Sequence, residues 1–149
     1  MPVADTPEPD SAQTNRAIVA DYWAAHFARD WDAMVAFLDE DVHYDDIGAP
    51  GDGSHGPVAV IQMLRLGLEP LEDYIHHPQR IFAEGNAVVT EHMEEWRFPT
   101  GEILRHPYVS IFELYDGKII KWHDYSNIAN ITDNVPDWWL EHVSRGWQE

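Results

Sequence analysis

The spacing of apolar positions changes once along the chain, from a helical repeat to strand alternation. From Asn15 to Arg29 the positions Ile18, Val19, Tyr22, Trp23, His26 and Phe27 recur three and four apart, as on one face of a helix, with Thr14 placed to cap it. Asp30 opens a second short helix with Trp31, Met34, Val35 and Leu38 on one face. Val42-His43-Tyr44 predicts a short strand that runs into a Gly/Pro-rich loop from Gly48 to Gly56, with Gly51-Asp52-Gly53 as a flexible lip. Pro57 suits a first helical turn, and Val60, Ile61, Leu64 and Leu68 carry that helix toward Gly67 and Pro70.

Beyond Pro70 the repeat becomes two, and strands are predicted near 73–82, 86–98, 103–115 and 118–127. Pro99-Thr100-Gly101 turns between the second and third. Asp116-Gly117, flanked by Ile, Phe, Val and Tyr, is a strong hairpin signal between the third and fourth. From Pro136 the residues Trp138, Trp139, Leu140, Val143 and Trp147 predict a short amphipathic segment. Helices followed by a run of strands predict an α+β fold, with the N-terminal helices packed on one face of a curved mixed or antiparallel sheet.

The chain has 149 residues, 44% of them hydrophobic and 24% charged, which predicts one ordinary folded domain. We expect residues 1–13 to be a disordered lead, 14–132 the domain, and 133–149 a segment closing one end of the fold or covering a subunit interface. With 27 acidic against 9 basic residues the formal charge is −18, which argues against nucleic-acid binding and against anionic membranes. No window approaches the length of a membrane span, and the acidic, Pro-rich start lacks the pattern of a secretion signal, so a cytoplasmic location is expected. There is no Cys, so no thiolate chemistry enters.

Strand parity brings in the chemistry. On 86–98 the even positions Val88, Thr90, His92, Glu94, Trp96 and Phe98 form the likelier inner face, because Glu91, Glu95 and Arg97 fall on the odd one. On the last strand the same parity collects Ile120, Trp122, Asp124 and Ser126, and on the third His106, Tyr108, Ser110 and Phe112. Titratable groups are costly to bury unless paired, so His92, Glu94 and Asp124 in one interior suggest a reactive pocket. Trp96 and Trp122 would line it. Pro107 could instead break the alternation and leave His106 at the surface; Tyr44 could be plain core, and Asp46 a turn residue. The nine His residues show no compact ligand spacing, and His76-His77 face opposite ways in a strand, so no metal site is expected. No nucleotide-binding or nucleophile-elbow motif occurs, and no cofactor is expected.

The order of elements and the run Asp116-Gly117-Lys118-Ile119-Ile120-Lys121-Trp122-His123-Asp124-Tyr125 resemble the nuclear transport factor 2-like, or SnoaL-like, superfamily. Its cystatin-like cone encloses a pocket. Within it the chain is similar to the limonene epoxide hydrolases, whose chemistry rests on an Asp-Arg-Asp set with a Tyr and an Asn holding water. Asp124 and Tyr44 match that pattern, whereas Glu94 stands for the first Asp, His92 for the Arg and Asp46 for the Asn. The resemblance implies a homodimer and a small-molecule substrate. Exchanging a fixed cation for an imidazole favours proton transfer over hydrolysis. The expected function is therefore cofactor-independent acid–base catalysis (isomerase, cyclase or dehydratase) on a small, largely apolar molecule, with Asp124 as base, Glu94 or His92 as acid, and Tyr44 positioning. His106, Tyr108, Trp96, Trp122 and Ser126 would contact the substrate. Epoxide hydrolysis and a non-catalytic binding or assembly role are the alternatives.

Overall fold

The computed structural model describes residues 9–148. The first helix, α1, runs Pro9–Phe27, so it starts before Asn15 and Thr14 lies inside it rather than capping it. Residues 9–13 of the expected lead are therefore helical; residues 1–8 lie outside the described residues. Val19, Tyr22, Trp23 and His26 are its buried face, at the spacing the sequence predicts. Asp30 caps the short α2 (Trp31–Val35) by accepting from the Ala33 amide.

Strand β1 spans Leu38–Ile47, far longer than the three residues its sequence suggests. The loop beyond it contains a two-residue strand, β2 (Ser54–His55), paired back onto His43 and Tyr44. Gly53 fixes this return, with φ at +80° and a position where a Cβ would stand 1.9 Å from the Tyr44 carbonyl oxygen. The predicted lip is thus partly sheet. Helix α3 (Pro57–Leu68) follows and buries Val60, Ile61, Leu64 and Leu68.

Strands β3 (Asp73–Glu84), β4 (Ala87–Arg97), β5 (Ile103–Tyr115) and β6 (Lys118–Ser126) form an antiparallel meander. The complete order is β2-β1-β6-β5-β4-β3, and the β1–β6 pair is parallel. Asp116 and Gly117 both take positive φ, 50° and 76°, which the two-residue hairpin between β5 and β6 requires. The inner face of β4 and β5 follows even parity. Strand β6 does not keep it throughout. Ile119 pairs with Leu114 and is fully buried, whereas Lys121 pairs with Glu113, so Ile120 is the extra residue of a bulge. The bulge corrects the expectation for Ile120 and brings Trp122 and Asp124 inward.

Two short helices complete the fold, α4 (Ile128–Thr132), which the sequence pattern did not predict, and α5 (Asp137–Ser144), which it did. Trp139 of α5 is buried, its indole donating to the Gly67 carbonyl at 2.8 Å. No helix among the described residues is long and apolar enough to cross a membrane.

Candidate active site

The inner face of the sheet, roofed by α3, α4 and α5, encloses a cavity of about 340 Å³. Its walls are mostly apolar, with Leu64 and Leu68 from α3, Ile128 and Ile131 from α4, and Trp139 and Leu140 from α5. Three carboxyl groups face this space: Asp46 from β1, Glu94 from β4 and Asp124 from β6. Neither Lys nor Arg is among the lining residues.

Parallel pairing sets the first two positions. Tyr44 lies beside Trp122 and Asp46 beside Asp124 in the β1–β6 register. Asp124 accepts from Ser110 Oγ at 2.5 Å and Trp122 Nε1 at 2.7 Å on one oxygen, and from the Tyr44 hydroxyl at 3.0 Å on the other. Burial pushes its carboxyl up to about 6, and the three hydrogen bonds hold it from rising further. Asp46 has less support. Burial, then the charges of Asp124 and Asp45, push it up to about 7. Its Oδ1 is buried without a hydrogen-bond partner, at a cost of about 1–3 kcal/mol that a bound donor would relieve.

Glu94 lies on the far wall, opposite His106 on β5 and His76 on β3. Burial raises it to about 8; the Tyr74 hydroxyl, hydrogen-bonded to Oε2, and the nearby Trp96 and Tyr108 side chains oppose that rise, while the Asp124 charge adds to it. Tyr74 is held in turn by His26 Nε2 at 2.9 Å, and His26 Nδ1 meets the Tyr22 hydroxyl at 3.1 Å. Burial raises Tyr22, Tyr44, Tyr74 and Tyr108 well above the usual phenol value and keeps them donors. It lowers His26 to about 3 and His106 to about 4. Near neutral pH the wall is therefore uncharged but for Asp124 and part of Asp46.

Asp124, Glu94, Tyr44, Asp46, His106, Tyr108, Trp96, Trp122 and Ser126 all line the cavity. His106 is 3% exposed, so Pro107 does not turn it outward. The Asn130 amide donates to both the Arg105 carbonyl and His106 Nδ1, each at 3.0 Å, which leaves Nε2–H as the ring's free donor. His92 is the exception. It lies under the Tyr108 ring, with centroids 3.7 Å apart, and beside Trp23 at 4.5 Å, and it is not on the cavity wall. The expected direct Glu94-His92-Asp124 cluster is not formed, because Ser110 stands between His92 and Asp124. Burial holds the His92 imidazole down to about 2, so it does not serve as an acid near neutrality.

Sequence reasoning passed over Tyr74 and the connecting role of Ser110. Extending even parity into 73–82 would have placed Tyr74 and His76 on the same face as Glu94. Among the described residues no three His, Asp or Glu groups come together in a way that could hold a metal ion.

The SnoaL-like domain matches residues 19–122, from α1 to the middle of β6. The chain belongs to the SnoaL-like family. This SnoaL-like domain is similar to several solved structures. One is an LEH-like epoxide hydrolase of M. tuberculosis, 22% identical over 93% of this chain and 94% of that one, with a TM-score of 0.71. Another is a candidate polyketide cyclase of Xanthomonas campestris pv. campestris, 26% identical over 85% and 99% of the two chains, also at 0.71. A candidate ketosteroid isomerase of Kribbella flavida is 20% identical over 78% and 80%, at 0.65. No curated protein matches the chain. These structures are named for different chemistries on one fold, so function has to be argued from the site.

Proposed function

We propose that the SnoaL-like domain is a cofactor-independent enzyme that moves a proton within a small, largely apolar substrate bearing a carbonyl or hydroxyl group. The observation that carries this reading is the unequal support of two carboxyls in one cavity. Asp124, held by three donors, ionises first and is the base. Glu94, held by one phenol in an apolar wall, keeps its proton to higher pH and is the acid. Two such groups with separated pKa values supply acid and base at one pH. Tyr44 orients Asp124, and His106 Nε2–H offers a donor to a substrate oxygen. A substrate without a negative charge suits a wall of carboxyls with no cation.

The test incubates the protein in deuterated water with a panel of enones and hydroxyketones and measures deuterium uptake by mass spectrometry. Uptake abolished by Asp124→Asn supports the assignment; full uptake in that variant overturns Asp124 as base. Absence of exchange and turnover with every substrate would favour a binding or assembly role.

Epoxide opening is a second reading, favoured by the Tyr44–Asp124 hydrogen bond, which could hold an attacking water while Glu94 protonates the leaving oxygen. Single ¹⁸O incorporation into a diol from labelled water would select it. The half-buried outer-face residues Val89, Met93, Val109 and Ile111 support the homodimer that the family resemblance implies. Sedimentation of the intact protein measures it, and a monomer at all concentrations would rule it out.

A further inference from the structure

Behind the cavity wall a second hollow, about 530 Å³, lies between α1 and the bulged rim of β3 near Pro78–Arg80, with His76, His92 and Thr90 among its lining residues. It shares none of the three cavity carboxyls. A continuous hydrogen-bond chain joins the two. His76 Nε2 meets His92 Nδ1 at 2.9 Å, His92 Nε2 meets Ser110 Oγ at 3.2 Å, and Ser110 Oγ donates to Asp124 Oδ1 at 2.5 Å. We propose that His76, His92 and Ser110 are a proton relay connecting the Asp124 carboxyl to the outer groove.

The directions of the donors follow from the last link. An ionised Asp124 can only accept, so Ser110 O–H points to it, and Ser110 Oγ then accepts from His92 Nε2–H. That fixes the His92 tautomer and leaves Nδ1 to accept from His76 Nε2–H. Every donor points inward. When a proton enters at His76 Nδ1, each group passes its own proton one place along and Asp124 becomes a neutral acid. Every donor now points outward: Asp124 O–H to Ser110, Ser110 to His92 Nε2, His92 Nδ1–H to His76. The return passage reverses each step, delivers one proton to the groove and restores the starting state. Neither imidazole is charged at rest in either state, in keeping with the burial that lowers His76 to about 4 and His92 to about 2.

The surroundings suit transport. His92 is 1% exposed, and the titratable groups facing it are His76 on β3, Tyr108 on β5 and His26 on α1. Asp124 is faced by Tyr44 and Asp46 from β1, Tyr74 from β3, Glu94 from β4, Tyr108 from β5 and Tyr22 from α1. His76 is half-buried and stacks on Phe27 at 4.0 Å, which holds its ring at the groove. The other histidine chain, Tyr22–His26–Tyr74–Glu94, has no such outlet: Tyr22 is fully buried and His26 is 2% exposed. A base on a mostly apolar cavity wall gains from such a chain a route for proton exchange on the opposite side of the sheet residues that hold it, and this geometry offers one to Asp124 and not to Glu94.

The relay rests on Asp124 as the base, and its test separates the two ideas. In the intact protein labelled with ¹⁵N-histidine, long-range ¹H–¹⁵N spectra report each tautomer through a pH titration. We expect neutral His92 to switch from Nε2–H to Nδ1–H as Asp124 gains its proton, and Ser110→Ala to abolish the switch. A single His92 tautomer throughout, or an imidazolium in that step, overturns the relay. A second arm uses whichever enone or hydroxyketone of the panel exchanges. His76→Phe, which keeps the stack on Phe27, should lower solvent deuterium per turnover several-fold at unchanged KM, and added imidazole should restore it. Wild-type exchange in His76→Phe, with Asp124→Asn inactive, overturns the relay and keeps the base. Exchange in Asp124→Asn overturns the base, and the relay then stands or falls on the tautomer switch.

Discussion

Glu94 and Glu95 are neighbours on one strand, 7% and 5% exposed, and their carboxyls are shifted in opposite directions. Glu94 points into the cavity, where burial outweighs a phenol hydrogen bond and raises it to about 8. Glu95 points to the outer face, where Arg97 at 2.8 Å, Arg105 at 3.3 Å and His77 at 3.8 Å surround it and lower it. Equal solvent exposure therefore does not imply equal depth or equal chemistry: Glu94 sits deep in the fold, whereas Glu95 is covered mainly by its ion-pair partners. A carboxyl ringed by cations is a structural anion, and one ringed by phenols and indoles is a stored proton. The strand supplies both because successive side chains alternate faces.

The largest contrast is expected in catalysis. Glu94→Gln removes the acid and should lower kcat by roughly 10²–10⁴-fold, while Glu95→Gln should leave kcat unchanged. Equal activity in the two variants would dissolve the distinction. The wild-type pH–rate profile should be a bell, rising as the base Asp124 ionises near 6 and falling as the acid Glu94 ionises near 8. The apparent values belong to the coupled set that includes Asp46. Glu94→Gln should erase the basic limb in what activity remains.

Stability should divide the pair next. Glu94 has a folded value raised above its unfolded one, so the stability it gives is complete below about 4.5 and is lost as pH climbs to about 8. At neutral pH an unfolded chain releases that proton while the folded one keeps it. Glu94→Gln should therefore stabilise the fold at pH 7, by an amount on the order of 2 kcal/mol, and remove most of the loss between those limits. Denaturant unfolding at acid and neutral pH measures it. A variant that loses stability relative to wild type between acid and neutral pH, where a gain is expected, would show that Glu94 is held as an anion.

Asp46 tests how far neighbouring charge sharpens the cavity's side of the comparison. Asp46, near 7, still holds most of its proton while Asp124 ionises near 6, so Asp46→Asn should leave the acidic limb of the pH–rate profile near 6. A limb moved to lower pH would mean that Asp46 already carries charge while Asp124 titrates.

The Glu94–Glu95 alternation was legible in the sequence, because side chains alternate faces along a strand and charged odd positions mark the outer one. The same rule buries His106. What the pattern does not contain is the parallel pairing of β1 with β6, since no turn joins strands some 80 residues apart; Tyr44 and Asp46 were found through family resemblance instead. Parity also places His92 and Glu94 on one face without saying that Tyr108 and Trp23 cover the first and leave the second open. That depends on sheet curvature and on where α1 crosses, and the bulge at Ile120 likewise depends on pairing rather than on composition. Ser110 looks unremarkable in sequence because its importance lies in what stands on either side of it.

The smallest expected effect lies on the outer face. Glu95 is lowered, so its contribution to stability is present above about 4.5 and fades as pH falls through its depressed folded value. Its partners Arg97 and Arg105 are 46% and 63% exposed, and water and salt screen the interaction. Glu95→Gln should therefore cost only about 0.5–1 kcal/mol at neutral pH, and less in high salt. In Glu94→Gln the gain should persist in high salt, because desolvation and not an ion pair causes it. If salt erased the Glu94 effect and spared the Glu95 effect, the causes assigned to the two shifts would have to be exchanged.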